Sequence, residues 1–379
     1  MTFEFRYKLN NNIFGGNMNV RSTIESLNVP NVLAPFGNKI TTKEEFEAIK
    51  PEIKNLLCEE EYGYIPPKPD SFSVTSDVTK KDFCAGDATL TKHKLTASVY
   101  GKDTEFVFYS VVPKNVKGKI PAFIHISFTD AIPNPGQQTE EIVDQGYAVF
   151  TINYKDVTSD DGDFENGCAK VLCPDRNDPH APGKIAMWSW AIMRVIDYME
   201  TLDIFDLDNI AVIGHSRLGK TTLLTAAFDE RVKFACVNNS GASGDALSRG
   251  KVGEDIDAIT KRFPFWFCPK YKEYANRESE LPFDQHFLLS LVAPRYIIIG
   301  TAEEDTWADP NSEFLALTLT DDVYKLYGKT GLVHGDEVPT APAILNEGDC
   351  YFHVRRGTHY LSRHDWNNYI KFIEAKKNA

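Results

Sequence analysis

Apolar positions in this 379-residue chain fall into short runs and helical stripes that alternate along its length. The first stripe, Phe46, Ile49, Ile53, Leu56 and Leu57, has helical spacing. Thr42 and Glu45 form a capping box ahead of it, and Pro51 marks a kink or restart within it. Residues 62–70, YGYIPPKPD, stop that helix. Segments 88–100 and 105–112, rich in Thr, Val, Phe and Tyr, flank Gly101-Lys102-Asp103 and predict a hairpin. Segments 120–128 and 147–154 are continuous apolar runs, as expected of strands buried on both faces, with a short helix at 139–145 between them. After a long polar loop at 155–182, Trp188, Ile192, Val195, Met199 and Leu202 recur at alternating spacings of four and three. Residues 183–202 therefore read as an amphipathic helix. A strand at 210–213, a sharp turn at 214–219 and a helix at 220–228 follow. Further strands are predicted at 232–237, 296–300 and 350–355, and a closing helix at 365–376.

Buried strands alternating with helices predict an α/β fold, a mostly parallel sheet in a three-layer sandwich, with the hairpin as an antiparallel edge. Residues 1–80 read as an arm and helical prefix, and 81–379 as the main catalytic domain. Gly15-Gly16-Asn17-Met18 can be encoded by a purine-rich stretch of the ribosome-binding kind followed by ATG. This suggests Met18 as the translation start and residues 1–17 as translated leader.

Charge narrows the partners. The net charge is −13 with no Lys/Arg run, which argues against nucleic acid and anionic membranes. No apolar run approaches the roughly 20 residues that span a bilayer, and no signal-peptide pattern opens the chain, so a cytoplasmic location is expected. Seven scattered cysteines, an odd count, point to buried free thiols; only Cys168 and Cys173 are close enough in a loop to suggest a pair. No Cys/His cluster has zinc spacing, and no metal or cofactor is expected.

The central stretch, GHSRLGKT at 214–221, supports two chemistries. It fits the phosphate-loop pattern G-x-x-x-x-G-K-[ST], although such loops usually follow the first strand of their domain and several strands precede this one. It also presents Ser216 at a strand-to-helix turn, as a nucleophile requires. That reading needs an acid after an intermediate strand and a histidine after the last, in the order Ser, Asp/Glu, His. The chain supplies Ser216, Asp305 after the 296–300 strand and His359 after the 350–355 strand. His353 and His364 are alternative bases, and Glu303, Glu304 and Asp309 alternative acids. The second glycine of the usual G-x-S-x-G stands one place late, at Gly219.

With that departure, GHSRLGK resembles the G-x-S-R-x-G-K signature of the glucuronoyl esterase-like carbohydrate esterases, a family of α/β hydrolases. The resemblance continues through SGASGDALSR (240–249), Gly253-Glu254, LPFDQHFL (281–288), APRYIIIGTAEEDTWADP (293–310) and RRGTH…DW, covering most of residues 60–375. It implies an α/β-hydrolase fold and hydrolysis of a small carbohydrate ester through an acyl-enzyme on Ser216. It further implies that the guanidinium of Arg217, beside its backbone N–H, helps bind the oxyanion, and that Lys220, Glu254 and Trp307 contact the sugar ring. Fungal members carry their acid after the preceding strand, at the position matched here by Asn239, so the chain is similar to the bacterial branch with the later acid. Glucuronoyl esters are the implied substrates. Acetylated xylo-oligosaccharides, a phosphate-loop nucleotide hydrolase and a catalytically silent sugar-binding relative are the alternatives. His215 and the aromatics between Phe263 and Tyr271 read as structural.

Overall fold

The computed structural model describes residues 18–377 except Pro135. The suggested leader, residues 1–17, lies outside them. Helix α1 (Val20–Leu27) and helix α2 (Lys43–Leu57) precede the sheet. The capping box of α2 forms as expected, and Pro51 sits inside a continuous helix. Ten strands follow: β1 (Ser71–Phe83), β2 (Ala88–Val99), β3 (Lys102–Pro113), β4 (Ile120–Ser127), β5 (Ala148–Asn153), β6 (Phe205–His215), β7 (Val232–Asn238), β8 (Tyr296–Ala302), β9 (Ala343–Leu345) and β10 (Cys350–Arg355). They make one sheet in the order β1-β2-β3-β5-β4-β6-β7-β8-β10-β9. The six strands from β5 to β10 in that order are parallel, whereas β1, β2, β3 and β9 pair antiparallel at the two edges.

The continuous apolar runs are explained by burial on both faces. In β6, Ile210 and Val212 face one core while Ala211 and Ile213 face the other; in β8, Ile297 and Ile299 alternate in the same way with Tyr296 and Ile298. Helices α3 (Lys184–Glu200) and α4 (Arg217–Phe228) cover the first face. The short helix Thr139–Asp144 and the closing helix α5 (Arg363–Lys376), with Trp366, Tyr369 and Phe372, cover the second. The three-layer α/β-hydrolase arrangement is thus present.

Two expectations change. The hairpin is a three-stranded antiparallel edge, because β1 pairs with β2 from Ser71 to Phe83; this strand runs through the division expected at residue 80. Helix α3 is buried nearly all round instead of along one stripe. Its polar residues are satisfied internally: Lys184 Nζ donates to Thr158 Oγ1 (2.7 Å), and Arg194 Nε to Asp197 (2.7 Å). All seven cysteines are free thiols, as their scatter and odd count indicated, Cys168 and Cys173 included. Among the described residues no helix is long and apolar enough to cross a membrane.

Candidate active site

The parallel strands end on one side of the sheet, and the loops leaving β6, β7, β8 and β10 meet there. The turn after β6 is a single residue. Ser216 has φ 58° and ψ −128°, and α4 begins immediately after it at Arg217. A non-glycine residue in that region stores about 1–3 kcal/mol, held here by the surrounding packing. Its N–H is fixed by the Asn238 carbonyl (2.9 Å), and its hydroxyl does not cap the helix. The glycines explain the displaced motif. A Cβ on Gly214 would lie 2.2 Å from the Leu218 carbonyl oxygen, and one on Gly219 2.9 Å from Ser240 Cβ. Gly219 is thus the point where α4 packs against the chain leaving β7.

Asp305 follows β8 and is 5% exposed. The acid and histidine loops are tied together, since Glu303 N donates to Arg355 O (2.9 Å) and Glu304 N to Gly357 O (3.1 Å). His359 Nδ1 lies 2.6 Å from Asp305 Oδ2, which also accepts from Asn239 Nδ2 at 2.7 Å. Burial pushes the Asp305 carboxyl up, but the hydrogen bond and charge of His359, then Asn239 and the Ala308 N–H, outweigh it and hold the pKa below the usual carboxylate value. Asn239, which the resemblance matches to the fungal acid, is therefore a hydrogen-bond donor to the candidate acid Asp305.

The His359 ring rests on that of His215, the residue before Ser216, with centroids 4.4 Å apart. Asn238 directs its amide N–H to Gly300 O (3.0 Å), so its Oδ1 accepts from His215 Nδ1 (2.7 Å) and fixes the tautomer. Desolvation, with His359 second, lowers the His215 pKa to about 4, which keeps it neutral near pH 7. The geometry thus pairs His359 with Asp305 and sets the His359 ring against His215, the residue before Ser216.

The other candidates lie elsewhere or are engaged. His353 is fully buried in β10 with Nε2 on Asp365 (2.7 Å), and His364 bonds Asn368 (2.9 Å). Asp309 accepts from Ser312 N and Val252 N, a helix-capping role.

Arg217 lies between aromatic rings, its guanidinium 4.5 Å from the Trp266 centroid, 5.1 Å from Phe263 and 5.7 Å from Phe128. Its Nη1 is hydrogen-bonded to Asp160, and its Nε is buried with no partner among the described residues. Lys220 is buried, with Nζ on the Ser240 carbonyl and 4.0 Å from Glu254. Burial lowers its pKa against the pull of Glu254. Glu254 N donates to Trp307 O (3.0 Å), and the Trp307 side chain is half exposed. Lys220, Glu254 and Trp307 thus form one contiguous wall.

Two residues escaped the sequence reading. Asp160 sits in the 155–182 loop, 57 positions from the arginine it holds, where only the acidic run SDDGDFE hinted at it. Arg355 ends β10, and its guanidinium reaches the carbonyls of Arg356, Thr358 and Tyr360 on both sides of His359. The RRGTH motif was its only sequence signal.

The family model for fungal glucuronyl esterases matches residues 95–328, well over half of the chain. Carbohydrate esterase MZ0003 from an unknown prokaryotic organism is 40% identical over 240 residues, 62% of this chain and 55% of that protein. The 4-O-methyl-glucuronoyl methylesterase of Podospora anserina is 28% identical over 283 residues, 72% of this chain and 54% of that protein. The chain spans about half the length of these two relatives. Among solved structures, a promiscuous CE15 esterase from a marine bacterial metagenome superposes with a TM-score of 0.83 at 29% identity, covering 91% of this chain and 96% of that one. Motif, architecture and comparison converge: the chain belongs to the glucuronyl esterase family.

Proposed function

We propose that this protein is a serine-dependent carboxylic ester hydrolase acting on glucuronoyl esters of carbohydrates, with the uronic acid as the acyl part. The observation that carries the reading is the His359–Asp305 pair at 2.6 Å, its imidazole against the residue that precedes a backbone-strained serine. In this reading Ser216 Oγ attacks the ester carbonyl while His359 Nε2 takes its proton. Asp305 keeps the Nδ1–H tautomer and stabilises the imidazolium. The N–H of Arg217, first in α4 and without an intrahelical acceptor, and the Arg217 guanidinium receive the oxyanion. His359 returns the proton to the leaving alcohol. Water, activated by the same imidazole, then hydrolyses the acyl-enzyme and releases the uronate. Lys220, Glu254 and Trp307 would hold the sugar hydroxyls and ring face.

The test is a panel of methyl and benzyl glucuronate esters beside acetylated xylo-oligosaccharides, with wild type and Ser216→Ala. Turnover of the glucuronate esters that disappears in the variant supports the reading. Turnover retained in Ser216→Ala removes it, and turnover of acetylated sugars alone reassigns the substrate.

A further inference from the structure

Of the loop between β5 and α3, one side chain is built into the candidate site. Asp160 Oδ1 accepts from Trp266 Nε1 (2.7 Å), and Oδ2 accepts from the Tyr154 hydroxyl (3.0 Å) and from Arg217 Nη1. Three donors from three separate segments leave the carboxylate one orientation. The backbone beside it is equally constrained. Ser159 N donates to Asn166 Oδ1 (2.8 Å), while Lys184 Nζ ties Thr158 Oγ1 (2.7 Å) and Asp163 O (2.6 Å). Beside the guanidinium, Trp266 and Phe263 are stacked, with centroids 3.8 Å apart and planes 2° apart.

We propose that Asp160 is a positioning residue of this site: clamped by Tyr154 and Trp266, it fixes the Arg217 guanidinium beside Ser216 before substrate arrives. The proposal rests on the serine-esterase reading. An arginine side chain free to rotate loses conformational entropy each time it meets the oxyanion; a pre-oriented one has already lost it. A charge fixed where negative charge develops acts on the transition state more than on the neutral ester. The Arg217 side chain remains 24% exposed, so guanidinium N–H groups not turned to Asp160 are open to the carbonyl oxygen. The role of the 155–182 loop becomes the supply of this carboxylate.

The experiment is a double-mutant cycle on the full chain with benzyl glucuronate, using Asp160→Asn, Arg217→Gln, the double variant and Ser216→Ala, with melting temperatures measured alongside. Asn is isosteric and still accepts from Trp266, but its amide NH2 then takes the place of Oδ2, so the charge and the acceptor for Arg217 are lost together. The expected result is a fall in kcat of about tenfold for Asp160→Asn, with KM within about threefold, since one oxyanion donor is worth about 10²–10³ and here it is displaced rather than deleted. In the Arg217→Gln background the same substitution changes kcat less than about twofold. Tyr154→Phe, which keeps the ring and removes the hydroxyl that donates to Oδ2, shows a smaller loss that also vanishes in that background. This variant decides the matter if Asp160→Asn does not fold. A loss that persists undiminished beside Arg217→Gln, or no change in kcat, overturns the proposal. Retained turnover in Ser216→Ala instead sinks the esterase reading itself, so the two failures are distinct.

Discussion

Replacing Arg355 with Met tests whether the histidine loop is held from below. The guanidinium Nε contacts both Asp365 oxygens at 3.1 Å, Nη1 donates to Arg356 O at 3.1 Å, and Nη2 to Thr358 O at 3.2 Å and to Tyr360 O. Met keeps much of the length and removes every one of these bonds. Asp365 would retain His353 Nε2 (2.7 Å), Ser362 N (2.7 Å) and Ser362 Oγ (2.6 Å), so its charge is not stranded. Residues 356, 358 and 360 are exposed, so their carbonyls can turn to water. The stability loss should therefore sit at or below the lower end of the about 3–5 kcal/mol typical of a broken buried pair. Catalysis should suffer more. A shift of about 1 Å in a reacting group costs roughly 10²-fold, and freeing residues 356–360 moves His359 by that order. Steady-state kinetics on a benzyl glucuronate ester, with a urea melt, should show kcat down about 10²-fold and KM little changed. Arg355→Lys, which keeps the charge without the fork, should fall between the two. Stability lost with kcat kept within about twofold would refute the reasoning, because the loop would then be positioned without its anchor.

Other outcomes follow from the same geometry. Asp305→Asn should lower kcat by about 10⁴ while leaving the fold intact, because the amide no longer holds the Nδ1–H tautomer; kinetics with circular dichroism checks it, and a loss under tenfold counts against Asp305. Glu61 is fully buried beneath Gln285, whose Nε2 lies 3.1 and 3.0 Å from its oxygens, and burial raises its pKa to about 8. The folded protein therefore keeps a proton that the unfolded chain releases above its usual value of 4.5, and stability falls as pH rises from there through about 8. Glu61→Gln, neutral throughout, should match wild type near pH 4 and exceed it in melting temperature at pH 8; parallel melting curves across that range would contradict the assignment.

Much of this architecture was legible because two-sided burial writes long apolar runs. The strand β10 has the bounds its CYFHVR run predicts. Strand β1 was not legible. Its sequence SFSVTSDVTKKDF is mostly exposed along its length, so backbone pairing with β2 makes the strand without an apolar signature. The central turn was expected over six residues, yet it is the one-residue bend at Ser216, a conformation set by close packing at Gly214 and Gly219. The order Ser216, Asp305, His359 was readable because each follows a predicted strand. Asp160 was not, because its partners Arg217 and Trp266 are distant in sequence and only folding brings them together.

The most direct measurement of the central claim is covalent labelling of the native protein with an aryl phosphonate, read by intact mass and peptide mapping. The account requires a single adduct on Ser216, formed at a rate that drops sharply in His359→Ala and in Asp305→Asn. An adduct on another residue, or a Ser216 labelling rate indifferent to both substitutions, would show that the three side chains do not act as one site.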